Sequence, residues 1–300
     1  MLSSLNSVSQ SFVSAMNNIG KQLARVQGEV ATGVKVANVS DAPDSVSAIL
    51  QTRAHLSALD QIQTNLSLVK AETDTGEQSL ASAVDLVQQV RTLGAEGITG
   101  TATADSRTAL ATQVGTIMQQ LVGLADTNIN GRYLFSGDKD QQAPYTMDVA
   151  QNLISEYDGG TDTRQVQHPN GTLFGTSLTA QQIFEATDPT QNVFSSLSAL
   201  RTALANNDQA GINAALPNVG TSLSYLNVQL SFYGDVQNKV TAATDYGDTL
   251  KVQLKSQLST LQDADMTESI TELSQLQLAQ TAALQVRAKI PNTSLFDYMG

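Results

Sequence analysis

The sequence predicts a mainly α chain: a long antiparallel helical coiled coil or bundle formed by the N- and C-terminal regions, with a small central β-rich insert. Three features predict it. Apolar residues recur at alternating three- and four-residue steps over both ends of the chain, whereas turn dipeptides and prolines without helical period gather in the middle. The 300 residues carry 5% aromatics and no Trp, so burial falls to Leu, Val, Ile and Ala. That palette suits long helices packed side by side, since a left-handed helix pair needs one aliphatic stripe along each partner.

The first stripe is Leu5, Phe12, Met16, Ile19, Leu23, Val26 and Val30, with Ser9 in the remaining slot. A helix over residues 5–30 would be about 39 Å long at 1.5 Å per residue, with an apolar face that one chain end cannot bury by itself. Gly33 offers a stop, and Val34 to Val39 reads as extended. Ser40, Pro43 and Asp44 then supply a capping oxygen, an early proline and a first-turn carboxylate for a second helix. Its stripe runs Leu59, Ile62, Leu66, Val69, Thr73, Gly76, Leu80, Ala83, Val87 and Val90, with Gly76 expected to cost about 1 kcal/mol against Ala. Gly94 to Ala104 reads as a loop, after which Leu110, Val114, Ile117, Leu121 and Leu124 mark a third helix.

Between Gly131 and Pro189 the period is lost. Pro144, Pro169 and Pro189 fall here with the Asp158-Gly159-Gly160 and Asn170-Gly171 turns. Candidate strands are Arg132 to Phe135, Ile154 to Tyr157, Arg164 to Gln167 and Thr172 to Phe174, with Asn170-Gly171 as a tight hairpin turn. Helical period returns at Val193, Leu197, Leu200 and Leu204. After Pro217 it continues through Val219, Leu223, Leu226, Leu230, Tyr233, Val236, Val240, Ala243, Gly247, Leu250, Leu254, Leu258 and Leu261. A last helix carries Met266, Ile270, Leu273, Leu276, Leu284 and Ile290, its start capped by Asp265 or Thr267.

Composition narrows the function classes. A net charge of −12 and a pI near 4.4, with no clustered Lys/Arg surface, argue against tracking a phosphate backbone, so no nucleic-acid partner is expected. The absence of cysteine removes disulfides, thiolate chemistry and Cys-based metal sites together. The first basic residue is Lys21, which does not fit a charged signal-peptide start, and no apolar run nears the roughly 18 residues that span a bilayer. No membrane insertion and no cleaved signal are expected.

Catalytic supply is thin. His55 reads as a helix-surface residue and His168 as a turn residue, and neither an HExxH nor a P-loop pattern occurs. Asp263, Asp265 and Glu268 could offer oxygen ligands to a divalent cation, but their spacing fits a helix cap better. Asp158 and Asp162 lack the following Glu of a calcium loop and read as a turn. No catalytic residue, cofactor or metal site is expected, and the chain reads as a non-enzyme.

Ala31-Thr32-Gly33-Val34-Lys35-Val36 followed by Ser40-Asp41, and the closing Ser294-Leu295-Phe296-Asp297-Tyr298, resemble the signatures of the bacterial flagellin family. Val90-Arg91-Thr92-Leu93 and Leu124-Ala125-Asp126-Thr127-Asn128 resemble further segments of it. Gly131-Arg132-Tyr133-Leu134-Phe135-Ser136-Gly137 and Asn192-Val193-Phe194 are most similar to the branch of that family found at the hook-filament junction.

The resemblance implies three zones. Residues 1–40 and 265–300 would form a terminal helical polymerisation domain, residues 41–130 and 190–264 a helical bundle, and residues 131–189 a β-rich outer insert. It implies a structural subunit that pairs with its own kind and with other flagellar axial proteins, namely the hook-side junction protein and flagellin. It also implies export to the bacterial flagellum by the type III route, with a chaperone on the C-terminal helix. The assembly interface would comprise Leu5, Phe12, Met16, Ile19, Leu23, Val26, Val30, Ile270, Leu273, Leu276, Leu284 and Ile290, with Leu295 and Phe296 of the closing motif. The main filament flagellin is the near alternative, and a secreted coiled-coil adhesin displaying its insert is the distant one.

Overall fold

A computed structural model describes residues 2–36, 42–148 and 153–289. The described residues are mainly helical, and the chain divides into two compact units, Met1–Ala58 with Leu250–Gly300, and Leu59–Thr249. Among the described residues, seven helices and six short strands run in the order α1 (Leu2–Thr32), α2 (Pro43–Gly97), α3 (Ala104–Ala125), β1 (Asn128–Ile129), β2 (Arg132–Tyr133), β3 (Met147–Asp148), β4 (Leu153–Ile154), β5 (Gln165–Gln167), β6 (Leu173–Gly175), α4 (Ala180–Phe184), α5 (Val193–Ala205), α6 (Gln209–Gln262) and α7 (Met266–Lys289).

Helix ends sit where local chemistry puts them. Gly33 closes α1 at φ +72°, its N–H donating to the Glu29 carbonyl at 2.8 Å, a left-handed position that glycine takes without a Cβ penalty. Pro43 opens α2 with Asp44 in its first turn. Thr103, Asn192 and Asp265 cap α3, α5 and α7 through side-chain oxygens that accept the backbone N–H of Ser106, Ser195 and Thr267.

In the larger unit, the expected stripe of α2 is the buried one: Leu66, Thr73, Leu80, Ala83, Val87 and Val90 are shielded, and Ile62 and Val69 half-shielded. It packs with Leu110 to Ala125 of α3, Val193 to Leu204 of α5 and Ile212 to Tyr233 of α6 in one core. The central insert shares that core through Phe135, Tyr145, Ile183 and Phe184, where Phe184 stacks on Phe194 at 5.2 Å and Tyr145 meets Phe194 edge-on at 5.1 Å. A second cluster joins Val166 of β5 to Leu66 and to Val236, Val240 and Ala243.

The segment expected as a loop from Gly94 to Ala104 is corrected: α2 continues to Gly97, and the connection is residues 98–103. Gly94 and Gly97 are sites of close packing rather than breakers. A Cβ at Gly94 would stand 2.7 Å from Leu216 and 2.9 Å from Leu200, and one at Gly97 would stand 2.4 Å from Leu204. Arg107, 8% exposed, closes the connection by donating to the carbonyl of Gly97 at 2.7 Å and to Asn207 Oδ1 at 2.6 Å. A cation at a helix C-terminus answers carbonyls that have no intrahelical partner.

Three of the four expected strands are shorter in the structure, and the fourth keeps its length one residue later as Leu173–Gly175; the strands form three antiparallel pairs, β1-β2, β3-β4 and β5-β6. Asn170-Gly171 turns β5 into β6 as expected, with Gly171 at φ +93° and the His168 N–H donating to the Thr172 carbonyl at 2.7 Å. A second Asn-Gly turn, Asn130-Gly131 with φ +53° and +81°, joins β1 to β2. Ion pairs tie the insert to α2: Arg164 bridges Glu72 at 2.9 Å and Asp140 at 3.3 Å, and Asp140 also accepts from Arg132 at 2.6 Å. The hydrogen bonds from Gln141 and Arg132 hold the Asp140 carboxyl below the usual carboxylate range.

Candidate assembly interface

The smaller unit is organised by α1 and α7, which pack antiparallel. Phe12 lies beneath the Arg287 guanidinium at 5.9 Å, Arg25 bonds Glu272 at 2.6 Å, and Glu29 accepts from Ser269 at 3.3 Å, so numbers rise along one helix as they fall along the other. At the closed end the chain leaving α1 pairs with the turn before α7. Val34 forms an antiparallel bridge with Asp263, Lys35 N–H donates to the Gln262 carbonyl at 2.8 Å, and Ala264 N–H donates to the Gly33 carbonyl at 2.9 Å. Of the stretch from Val34 to Val39 expected to be extended, Val34 forms an isolated bridge, while residues 37–41 lie outside the described residues.

Along α1 the less exposed positions are Ser9, Phe12, Met16, Ile19, Leu23, Val26, Glu29 and Val30, the expected stripe with one carboxylate added. On α7 the corresponding row is Ser269, Leu273, Leu276, Gln280, Ala283 and Arg287. Leu273 and Leu276 belong to it. Ile270 and Leu284, 51% and 52% exposed, lie on a different face of the helix. Leu5 falls in α1 with its side chain outside the described residues, as are Ile290, Leu295 and Phe296.

Sequence reasoning missed the small, polar and charged members of the row because it weighted Leu and Ile; counting Ser269, Gln280, Ala283 and Arg287 as seam residues restores unbroken four-three spacing. It also missed Arg25 and Glu29, for which the i,i+4 spacing was the available signal. Arg25 donates to Glu29 at 2.5 Å as well as to Glu272. Burial pulls the Arg25 guanidinium down, but its bonds and charge interactions with Glu29 and Glu272 outweigh it, and the net shift is upward.

The pairing leaves part of the apolar surface outside. Ile270, Leu278, Leu284 and Val286 of α7 and Val13 of α1 are all exposed, and they lie on more than one face of α7. A helix that is apolar beyond its own seam has surface to spare for neighbours. No helix among the described residues is long and apolar enough to cross a membrane, and no group of three His, Cys, Asp or Glu among them could hold a metal ion. His55 is exposed on α2, and His168 accepts the Asn170 N–H at 3.1 Å inside the β5-β6 turn.

The family pattern "Bacterial flagellin N-terminal helical region" matches residues 4–140, and "Bacterial flagellin C-terminal helical region" matches residues 216–299. The chain belongs to the bacterial flagellin family. As a flagellin-family member it joins a group of structural flagellar proteins. It is similar to flagellar hook-associated protein 3 of Salmonella typhimurium, 23% identical over 95% of each chain. It is also similar to flagellin B of Rhizobium meliloti, 23% identical over 83% of this chain but only 61% of the relative. Its fold resembles that of Xanthomonas campestris FlgL, with a TM-score of 0.60 at 17% identity, covering 69% of this chain and 99% of that one.

Proposed function

We propose that this chain is a structural subunit of the bacterial flagellum that polymerises through its paired terminal helices at the hook-filament junction and so serves motility. The observation that carries the reading is end-to-end correspondence: the hook-associated relative is matched over 95% of its length, whereas the flagellin relative extends well beyond the match. In this reading residues 1–40 and 265–300 are the polymerising zone, residues 41–130 and 190–264 the bundle, and residues 131–189 the outer insert. The partners are further copies, the hook-side junction protein and flagellin.

The protein then works outside the cell, as part of an appendage, after export without a cleaved signal. Ile270, Leu278, Leu284 and Val286 form an apolar surface on an unassembled α7, and covering it before assembly is the task we assign to an export chaperone.

Removing the protein from cells is expected to leave hooks intact and to shed filament subunits into the medium; a filament that is itself missing, with no subunits shed, would instead mark this chain as the filament flagellin. The adhesin reading is separated by surface changes rather than by excision, because residues 138–189 include Tyr145, Ile183 and Phe184 of the core. Leu153→Ser with Leu173→Ser, both exposed in the insert, is expected to leave assembly unchanged.

A further inference from the structure

We infer that the side-chain knot Arg25–Glu29–Ser269–Glu272 sets the register in which α1 and α7 pair, a role that stands whether or not the junction reading holds. Glu29 is 6% exposed and Ser269 4% exposed, so the Glu29 carboxylate sits within the seam, held by Arg25 on one side and Ser269 on the other. Arg25 in turn reaches across to Glu272 at 2.6 Å.

The rest of the seam chooses its register poorly. The observed contacts place Val26 opposite Leu273, Leu23 opposite Leu276, Ile19 opposite Gln280 and Met16 opposite Ala283. The aliphatic and small members of that row interchange under a slip of one heptad. Gln280 does not choose either: it faces Ile19 as observed and would face Val26 or Phe12 after a slip, an apolar side chain in each case. The backbone bridge at Val34 and Asp263 uses groups that every non-proline residue carries.

A seven-residue slip in one direction brings Glu29 to Leu276 and Gln277 and strips Arg25 of Glu272. In the other direction it brings Glu29 to Gln262 and Asp263 and Arg25 to Asp265, so that one guanidinium answers three acidic groups. In either case Glu29 keeps Arg25 on α1 and exchanges the small Ser269 hydroxyl for a long Gln amide, which fits a closely packed seam less well. A buried ionic or polar group used in this way specifies alignment rather than strength.

The test exploits a chain without native cysteine. Val13→Cys and Val286→Cys, both exposed and near each other in the observed register, carry spin labels in the full chain, and pulsed electron resonance reads the distance between them. With the knot intact one narrow distance is expected. In Arg25→Leu/Glu29→Leu a second, longer distance should rise to at least a tenth of the total, because an axial slip of about 10 Å, one heptad at 1.5 Å per residue, adds in quadrature to the lateral separation of the two labels. The pair Ser269→Ala/Glu272→Ala, which alters the knot from the α7 side, should give the same second population. One unchanged narrow distance in both variants would overturn the inference. So would loss of any defined distance in both, because the knot would then be holding the helices together rather than choosing their alignment.

Discussion

A Cβ at Gly76 would stand 2.6 Å from Tyr233 Cε1 and 3.3 Å from Leu134 Cδ2. The sequence-level expectation that this glycine merely weakens α2 has its sign reversed by packing, because Tyr233 is 1% exposed and cannot yield. Gly76→Ala is expected to destabilise the protein by about 1–3 kcal/mol, read from the urea midpoint; a gain of stability would refute the packing argument. Arg107→Met removes the clasp on Gly97 and Asn207 while keeping bulk, and should cost about 2 kcal/mol in the same measurement. Asp126 offers a pH handle. Burial pushes its carboxyl up to about 6, against a hydrogen bond from the Tyr145 N–H at 3.3 Å that favours the anion. The folded value lies above an unfolded one of about 3.9, so the contribution to stability is complete below pH 4 and is lost as pH rises through 6. Asp126→Asn should flatten the stability profile over that interval, and an unaltered slope would assign the effect to other groups.

Among the elements, α6 carries Pro217 at an exposed position eight residues past its start, where the ring removes one backbone donor. Pro217→Ala should stabilise the fold by about 1–3 kcal/mol, and a thermal midpoint that fails to rise would show that the proline is compensated by packing. The long helices were legible in the sequence because their period repeats over many turns, as Leu80, Ala83, Val87 and Val90 do. What was not legible depends on contacts distant in sequence. Gly94 and Gly97 resemble a loop until Leu200, Leu204 and Leu216 are seen to fill their space. The hairpin at Asn130-Gly131 and the short helix α4 had local signals, the latter a capping box of Thr179 and Gln182, but the hairpin straddles the expected boundary between bundle and insert, and α4 falls in a region read for strands alone. In the interface, the large residues of α1 were readable, whereas half of the facing row of α7 is Ser269, Gln280 and Ala283, whose place in a seam is defined only by the partner they admit.

On the scale of the whole molecule, the unit built from Leu59–Thr249 holds a large shared core, while in the terminal unit most of the α1–α7 seam is only half-covered. The apolar side chains left outside on α7 give the chain ends a driving force for association that the single chain does not use. Sedimentation velocity of the full chain, followed as concentration and ammonium sulfate rise, tests this most directly, since sulfate strengthens apolar burial. The chain is expected to grow into oligomers, and Ile270→Asp/Leu284→Asp to remain monomeric with an unchanged circular dichroism spectrum, because a charge at either site would lie unpaired in the new contact. Oligomers of the same size from both proteins would contradict the account.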